Sequence, residues 1–134
     1  MSATVLTVVD EADAADLFRQ HFRREVRQGQ YVLQFAYSGE ETLDMLARGI
    51  QPQLIVIFSD INMPGMEGLT LLREIKEKRP DLPVIIVTAY DDDERRRRAS
   101  EYGAAEFITK PVDFNFLKAQ LRRLALPPVR EELR

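Results

Sequence analysis

The chain contains no cysteine among its 134 residues. Disulfides, thiolate metal sites and cysteine nucleophiles are therefore excluded, and the absence fits a reducing compartment. The longest unbroken apolar run covers residues 54–58, far short of the ~20 residues that span a bilayer. The first six residues lack the basic region of a signal peptide. We therefore expect a cytoplasmic protein with no membrane partner.

An excess of positive charge is also missing, because 19 basic residues face 22 acidic ones and the net charge is −3. A mildly acidic chain is a poor candidate for binding nucleic acid through bulk charge, so we expect no nucleic-acid partner. The run Asp91–Arg98 places an arginine four residues after each acid. This spacing favours a helix with a solvated, self-paired face, and a partner surface remains the alternative. The expected pairs are Asp91/Arg95, Asp92/Arg96, Asp93/Arg97 and Glu94/Arg98.

The length suits one domain of the commonest size, about 100–150 residues. Five short apolar runs alternate with amphipathic segments, and they predict five strands: Val5–Val9, Tyr31–Tyr37, Leu54–Phe58, Val84–Val87 and Glu106–Thr109. Strict alternation predicts an α/β fold with a parallel sheet covered by helices on both faces. The expected architecture is a flavodoxin-like, doubly wound, five-stranded sheet of order 2-1-3-4-5 with five helices. Tyr31–Tyr37 alternates in polarity, as an edge strand does.

The amphipathic segments predict where each helix packs. The first helix has a stripe of Leu17, Phe18, His21, Phe22 and Val26, and the last begins near Asp113 and buries Phe116, Leu117, Leu121 and Leu124. Residues 38–41 fit a helix capping box. The fourth helix is expected from about Asp92 to Tyr102. His21 is interpreted as a packed or boundary histidine rather than a phosphodonor.

Polar side chains follow the predicted strands where ligands bind in doubly wound folds. Asp10 and Glu11 follow the first strand, Asp60 the third, Thr88 ends the fourth, and Lys110 follows the fifth. Clustered carboxylates without histidine or cysteine suit Mg²⁺, which takes hard oxygen ligands. A metal, an ammonium and a hydroxyl around a carboxylate can stabilise a transferring phosphoryl group. The carboxylate itself can be the nucleophile and form an aspartyl phosphate.

These residues, with the segment 59–68, Thr88-Ala89 and Lys110-Pro111, resemble a bacterial response-regulator receiver domain. The resemblance covers about residues 4–125. It implies a receiver domain over residues 1–126, and residues 127–134 are expected to be a short tail with no output domain. The implied protein is a signalling domain rather than a turnover enzyme.

The resemblance also implies residue roles. Asp60 would accept phosphate, Thr88 and Lys110 would contact the phosphoryl oxygens, and the Lys110–Pro111 bond would be cis. Mg²⁺, or Mn²⁺ in its place, would be held by Asp10, Glu11, Asp60 and the carbonyl of Asn62. Position 11 is glutamate where many receivers carry aspartate, which leaves open which acid touches the metal. Phe107 stands at the switch-aromatic position, although a plain core aromatic is the alternative.

The implied phosphodonor is a sensor histidine kinase or a phosphotransfer protein. Phosphorylation would alter the face formed by the fourth helix, fifth strand and fifth helix, which could then bind a second copy or a target protein. Three rival functions stay open at this point. They are a nucleotide- or flavin-binding module, a Mg²⁺-dependent phosphohydrolase with an aspartyl-phosphate intermediate, and an inert pseudo-receiver that serves as an interaction module.

Overall fold

A computed structural model of the protein describes residues 3–9, 12–50, 54–60, 68–88 and 93–125, apart from the side chains at positions 54, 55, 60, 124 and 125. Five strands and six helices lie within these ranges. The strands are β1 Ala3–Val8, β2 Tyr31–Ala36, β3 Leu54–Asp60, β4 Val84–Thr88 and β5 Glu106–Thr109. The helices are α1 Ala12–His21, α2 Arg23–Arg27, α3 Gly39–Arg48, α4 Gly68–Lys78, α5 Asp93–Glu101 and α6 Phe114–Ala125.

The strands form one parallel sheet of order β2-β1-β3-β4-β5, and this confirms the predicted topology. β1 is an interior strand and pairs with β2 on one side and with the central strand β3 on the other. β4 is buried along its whole length, whereas the four middle residues of β2 are only half-buried. The apolar runs and the alternating run therefore occupy the central and edge positions that their patterns predict.

The number of helices differs from the expected five because the first predicted helix is divided at Phe22 into α1 and α2. Phe22 has φ −104° and ψ 10°, outside the helical region. Its N–H still donates to the Phe18 carbonyl at 3.0 Å, and its own carbonyl accepts from Val26 at 2.9 Å. The ring is fully buried. Neither proline nor glycine marks this position, so no local sequence signal predicts the irregularity.

Two apolar cores cover the two faces of the sheet. One contains Leu72 and Ile75 of α4 with Ile57 and Ile86 of the sheet, and half-buried residues of α3 pack against it. The other joins the sheet to α1 and α6, and its members are Val5, Phe18, Phe22, Tyr31, Val56, Phe58, Ile85, Val87, Ile108, Phe114, Leu117 and Leu121. Burial on both faces fixes the strand register, because a slip of one residue would exchange the faces.

The prediction that Phe116 is buried is wrong, as 42% of this residue is exposed. Phe114 takes the buried position instead and continues the stripe of Leu117 and Leu121 at helical spacing. Leu17 and Val26 are also exposed, at 46% and 42%. The exposures of Phe116 and Leu17 have one cause, since helical spacing alone cannot choose between adjacent apolar residues at the border of a buried stripe.

Helix ends follow the predicted signals. The Ser38 hydroxyl accepts from the Glu41 N–H at 3.0 Å, and the Glu41 carboxylate accepts from the Tyr37 N–H at 2.7 Å. The second bond involves the residue before the N-cap, so it is a shifted form of the predicted capping box. Gly103 ends the segment after α5 with φ +95°, a conformation that glycine adopts without strain. No helix within the described ranges is long and apolar enough to cross a membrane.

An ion pair joins α2 to α6 where both helices cover the sheet. The Lys118 ammonium lies 3.0 Å from the Glu25 carboxylate, with only 21% and 17% of the two side chains exposed. Burial of Glu25 would raise its pKa, but the hydrogen bond and the positive charge of Lys118 outweigh that effect and lower the pKa below its ordinary value. The ionised form of Glu25 is therefore stabilised by folding.

We expect Glu25→Gln to reduce the free energy of unfolding by about 1 kcal/mol at pH 7, the upper range for such pairs because the side chains are mostly buried. Folding lowers the pKa of Glu25, so its contribution is present above the unfolded value near 4.5 and is lost as the pH falls through the folded value. Urea denaturation between pH 3 and pH 7 should show the difference shrinking in acid. Glu77→Gln, an exposed change on α4, is the control, and a pH-independent difference for Glu25→Gln would contradict the assignment.

Candidate functional site

The ends of three neighbouring strands bring Asp60, Thr88 and Lys110 to one edge of the sheet. Asp60 is the last residue of β3, and its Cα is paired with that of Val87 in β4. Thr88, the next residue, is paired with Thr109 at the end of β5, and Lys110 follows directly. The backbone therefore places the predicted phosphoacceptor and its two predicted partners at consecutive positions across the sheet.

Lys110 is held at this edge by its main chain. Its N–H donates to the Thr88 carbonyl at 2.7 Å, so the β4–β5 contact extends one residue beyond the strands. The Lys110–Pro111 peptide bond is cis, as predicted. Thr88 is fully buried, whereas Lys110 is exposed. The structure thus fixes the Lys110 backbone at this edge, while the residue itself is exposed to solvent.

Most of the predicted metal ligands lie outside the described residues. This applies to Asp10, Glu11 and Asn62, and to the side chain of Asp60. Val9 directly precedes the acid pair and is buried, and β1 ends with Val8 paired to Ser59 of β3. Within the described ranges, no group of three or more histidine, cysteine, aspartate or glutamate residues could hold a metal. The metal site therefore stays a prediction.

A cavity of about 470 Å³ opens beside Lys110, between α1 and the loop that leads into α6. It is lined on the sheet side by Thr7, Phe58 and Ser59, and on the helix side by Phe18 and His21. The Thr7 hydroxyl is buried without a hydrogen-bond partner among the described residues. Sequence reasoning missed this cavity. The only available signal was a threonine within an apolar strand, which is more often a packed residue than a site residue.

His21 packs at the rim of the cavity. Its ring is stacked on Phe114 with centroids 3.9 Å apart and 5° between the planes. His21 is exposed, and the stacking on Phe114 agrees with a residue at the boundary of the core; that it is not a phosphodonor stays a prediction. Helix α6, which carries Phe114, begins with a cap, because the Asp113 carboxylate accepts from the N–H groups of Asn115 at 3.0 Å and Phe116 at 3.2 Å.

Phe107 is half-buried on β5 and is covered by an arginine of α5. The Arg96 guanidinium carbon lies 4.6 Å from the centroid of its ring, within cation–π distance. The ring also packs against the core that contains Ile86. The predicted switch position thus links the sheet to α5.

The predicted pairing within α5 needs correction. Arg97 binds Glu94 at 2.7 Å and Glu101 at 2.8 Å, rather than Asp93. Spacings of three and four residues both bring side chains together on a helix, and Arg97 uses one of each. Asp91 and Asp92 lie outside the described residues.

Comparison with known proteins gives the family. Residues 5–122 match the model of the response regulator receiver domain, and the chain belongs to this family of signalling domains from two-component systems. The fold agrees with the response regulator TrrA from Thermotoga maritima, whose structure was solved in complex with Mg²⁺-BeF. The TM-score is 0.75 at 30% identity, over 91% of this chain and 98% of that one.

Two curated relatives are longer than this chain. Response regulator MprA of Mycobacterium bovis is 32% identical over 124 residues, which are 92% of this chain and 51% of MprA. The DNA-binding transcriptional regulator NtrC of Klebsiella pneumoniae is 45% identical over 78 residues, which are 58% of this chain and 16% of NtrC. The chain therefore corresponds to about half of one relative and to a smaller part of the other.

The contact between Arg96 and Phe107 can be measured with a double-mutant cycle. We expect Arg96→Met and Phe107→Leu to show a coupling of about 0.5–1 kcal/mol in the free energy of unfolding, the range for a cation–π pair near the surface. The same cycle with Arg97→Met is the control, because Arg97 is held by Glu94 and Glu101. Equal coupling in both cycles would show that Arg96 makes no specific contact with the ring.

Proposed function

We propose that the protein is a phosphoacceptor in which Asp60 takes a phosphoryl group from the phosphohistidine of a sensor histidine kinase or a phosphotransfer protein. The observation that carries this proposal is the alignment of Asp60, Thr88 and Lys110 at consecutive strand ends. Membership of the receiver family supports it. Phosphoryl transfer needs chiefly positioning and charge stabilisation, and a rigid parallel sheet supplies the positioning.

The proposed step forms one bond and breaks one. An oxygen of the ionised Asp60 carboxylate forms the new bond to phosphorus while the nitrogen–phosphorus bond of the donor breaks. The electron pair of that bond returns to the imidazole nitrogen, which takes up a proton. The product is a mixed anhydride, an aspartyl phosphate, whose three remaining phosphoryl oxygens carry the charge that the site must stabilise.

Lys110 and Thr88 are proposed to hold those oxygens. The Lys110 ammonium supplies a positive charge, and its backbone is fixed by the 2.7 Å bond to Thr88. The Thr88 hydroxyl is a donor that can rotate toward a phosphoryl oxygen. Thr88 is fully buried, so a hydrogen bond from it would be little weakened by competition with water.

The residues at this edge fit a divalent cation by the chemistry of their donors. The carboxylates of Asp10, Glu11 and Asp60 and the carbonyl of Asn62 are the proposed ligands, and hard oxygens of this kind suit Mg²⁺ and also Mn²⁺. Such an ion, when bound, neutralises the acidic cluster and the charge of the phosphoryl group. The Mg²⁺-BeF complex of the relative TrrA supports this proposal.

We propose further that the phosphoryl group acts as a signal rather than as the substrate of a turnover enzyme. The proposed output face comprises α5, β5 and α6, which correspond to the fourth helix, fifth strand and fifth helix of the prediction. A shift of Thr88 toward the phosphoryl group would free space near Phe107, whose ring contacts the guanidinium group of Arg96. A second copy of the chain or a target protein would then bind the altered face.

We expect Asp60→Asn to abolish uptake of phosphate from a phosphorylated kinase, because the amide keeps the shape of the side chain but is not a nucleophile. The measurement is transfer of radiolabelled phosphate, with the product tested for stability in acid and lability in base. Asp81→Asn, at an exposed position before β4, is the matched control and should accept label normally. Label on Asp60→Asn at the normal rate would make the assignment wrong.

Phosphate uptake should require Mg²⁺ or Mn²⁺ and should stop in excess EDTA, because unshielded carboxylates repel the incoming phosphoryl group. Glu11→Gln should weaken metal affinity and slow transfer, whereas Glu77→Gln should change neither. Metal affinity is measured by titration of the unphosphorylated protein and transfer by the rate of labelling. Unchanged labelling in EDTA would contradict the proposed site.

A further inference from the structure

A groove of about 570 Å³ lies between the α1–α2 segment and the edge strand β2, away from the phosphoacceptor edge. Three arginines line one side of it at four-residue spacing, namely Arg19, Arg23 and Arg27. Apolar groups form the rest of the wall, among them the exposed Val26 and the half-buried Leu33 and Phe35. None of the described lining residues is acidic, in a chain whose net charge is −3.

Only one of the three arginines in this groove has an ion-pair partner within the described ranges. Arg19 is paired with the exposed Asp16 at 2.8 Å and lies over the Phe35 ring at 4.5 Å. The side chains of Arg23 and Arg27 make no hydrogen bond or ion pair within the described part of the chain. Local positive charge of this kind attracts a negatively charged partner.

The main chain of β2 offers a second binding element. The carbonyls of Gln30 and Ala36 accept hydrogen bonds from the N–H groups of Ala3 and Val9. The main-chain N–H and C=O groups of the even-numbered residues of β2 therefore face β1. In a parallel ladder alternate residues bond the same neighbour, which turns the main chains of Tyr31, Leu33 and Phe35 toward the open edge. No described strand pairs with that edge. Their N–H and C=O groups are therefore available to an added strand.

We propose that this groove binds an extended acidic segment of a partner protein, which adds to β2 as a sixth strand and directs its carboxylates to Arg23 and Arg27. Alternate side chains of an added strand face the same side of the sheet, so every second residue of the segment would lie on the arginine side. Strand addition provides main-chain hydrogen bonds, and the arginines provide selectivity for acidic sequences.

The charge and the open strand edge of this groove favour a peptide over other anionic partners. A nucleic acid would meet the arginines through its phosphates but would gain nothing from the edge N–H and C=O groups of Leu33 and Phe35. A second copy of this chain, paired edge to edge through β2, would bring two sets of arginines together, and like charges facing each other destabilise such pairs. An acidic segment satisfies both the charge and the open strand edge.

The test uses the full chain and a fluorescein-labelled hexapeptide of alternating glutamate and valine, with binding measured by fluorescence anisotropy. We expect saturable binding that Arg27→Gln weakens about tenfold, the effect of losing one charge-assisted hydrogen bond. Arg23→Gln should act in the same way. Arg24→Gln is the matched control, since it removes the same charge from the same helix outside this groove, and its affinity should stay within about twofold of the wild type.

A second probe tests the contribution of the main-chain hydrogen bonds at the β2 edge without changing the protein. The same hexapeptide with alternate amides N-methylated cannot donate main-chain hydrogen bonds along one edge, so it should no longer bind. The unmodified peptide should slow hydrogen exchange at the backbone amides of Leu33 and Phe35. Asp60→Asn should bind the peptide normally, and Arg27→Gln should accept phosphate normally, so this proposal can fail independently of the proposed function. Three results would overturn the proposal of strand addition. They are equal weakening by Arg24→Gln, retained binding of the methylated peptide, and tighter binding of a DNA oligonucleotide or of anionic lipid vesicles.

Discussion

The parallel register of β3, β4 and β5 is the constraint on which the site depends. Strands that run in one direction deliver their carboxyl ends to one edge, and pairing of Asp60 with Val87 and of Thr88 with Thr109 fixes which residues meet there. A slip of one residue in β3 would place Ser59 opposite Val87 and exchange the two faces of the strand. Burial of Ile57 and Phe58 on opposite faces opposes that slip. Core packing therefore sets the geometry of the site.

The same register connects the site to the surface. Ile86 is paired with Phe107, and Thr88 with Thr109, so Thr88 and Phe107 belong to neighbouring strands and their side chains share one face. The Phe107 ring in turn contacts the guanidinium group of Arg96 in α5. In the proposed mechanism, a shift of Thr88 toward the phosphoryl group reaches the surface through this pair of contacts. The path is short because only one strand separates the site from the proposed output face.

The sequence predicted the sheet order and the residues at the strand ends because both depend on strong local patterns. Solid apolar runs mark central strands, and polar residues directly after them mark the ligand edge. The division of the first helix at Phe22 and the exposure of Phe116 were not predictable in this way. Phe114 of α6 takes the buried position in place of Phe116, and its ring contacts Phe18, Phe22 and His21 at once. Such packing involves residues nearly a hundred positions apart, so no local window contains it.

The location of unpaired charge also depends on tertiary structure. The run of four arginines in α5 is the most conspicuous basic feature of the sequence, yet each of its members interacts with other groups in the fold. Arg23 and Arg27 belong to no long run, but they line a groove without acids. A row of charges on a helix is neutralised when acids lie one turn away, as Glu94 and Glu101 do for Arg97. In the groove beside β2, helical spacing therefore supplies arginines and the open strand edge supplies hydrogen-bonding groups.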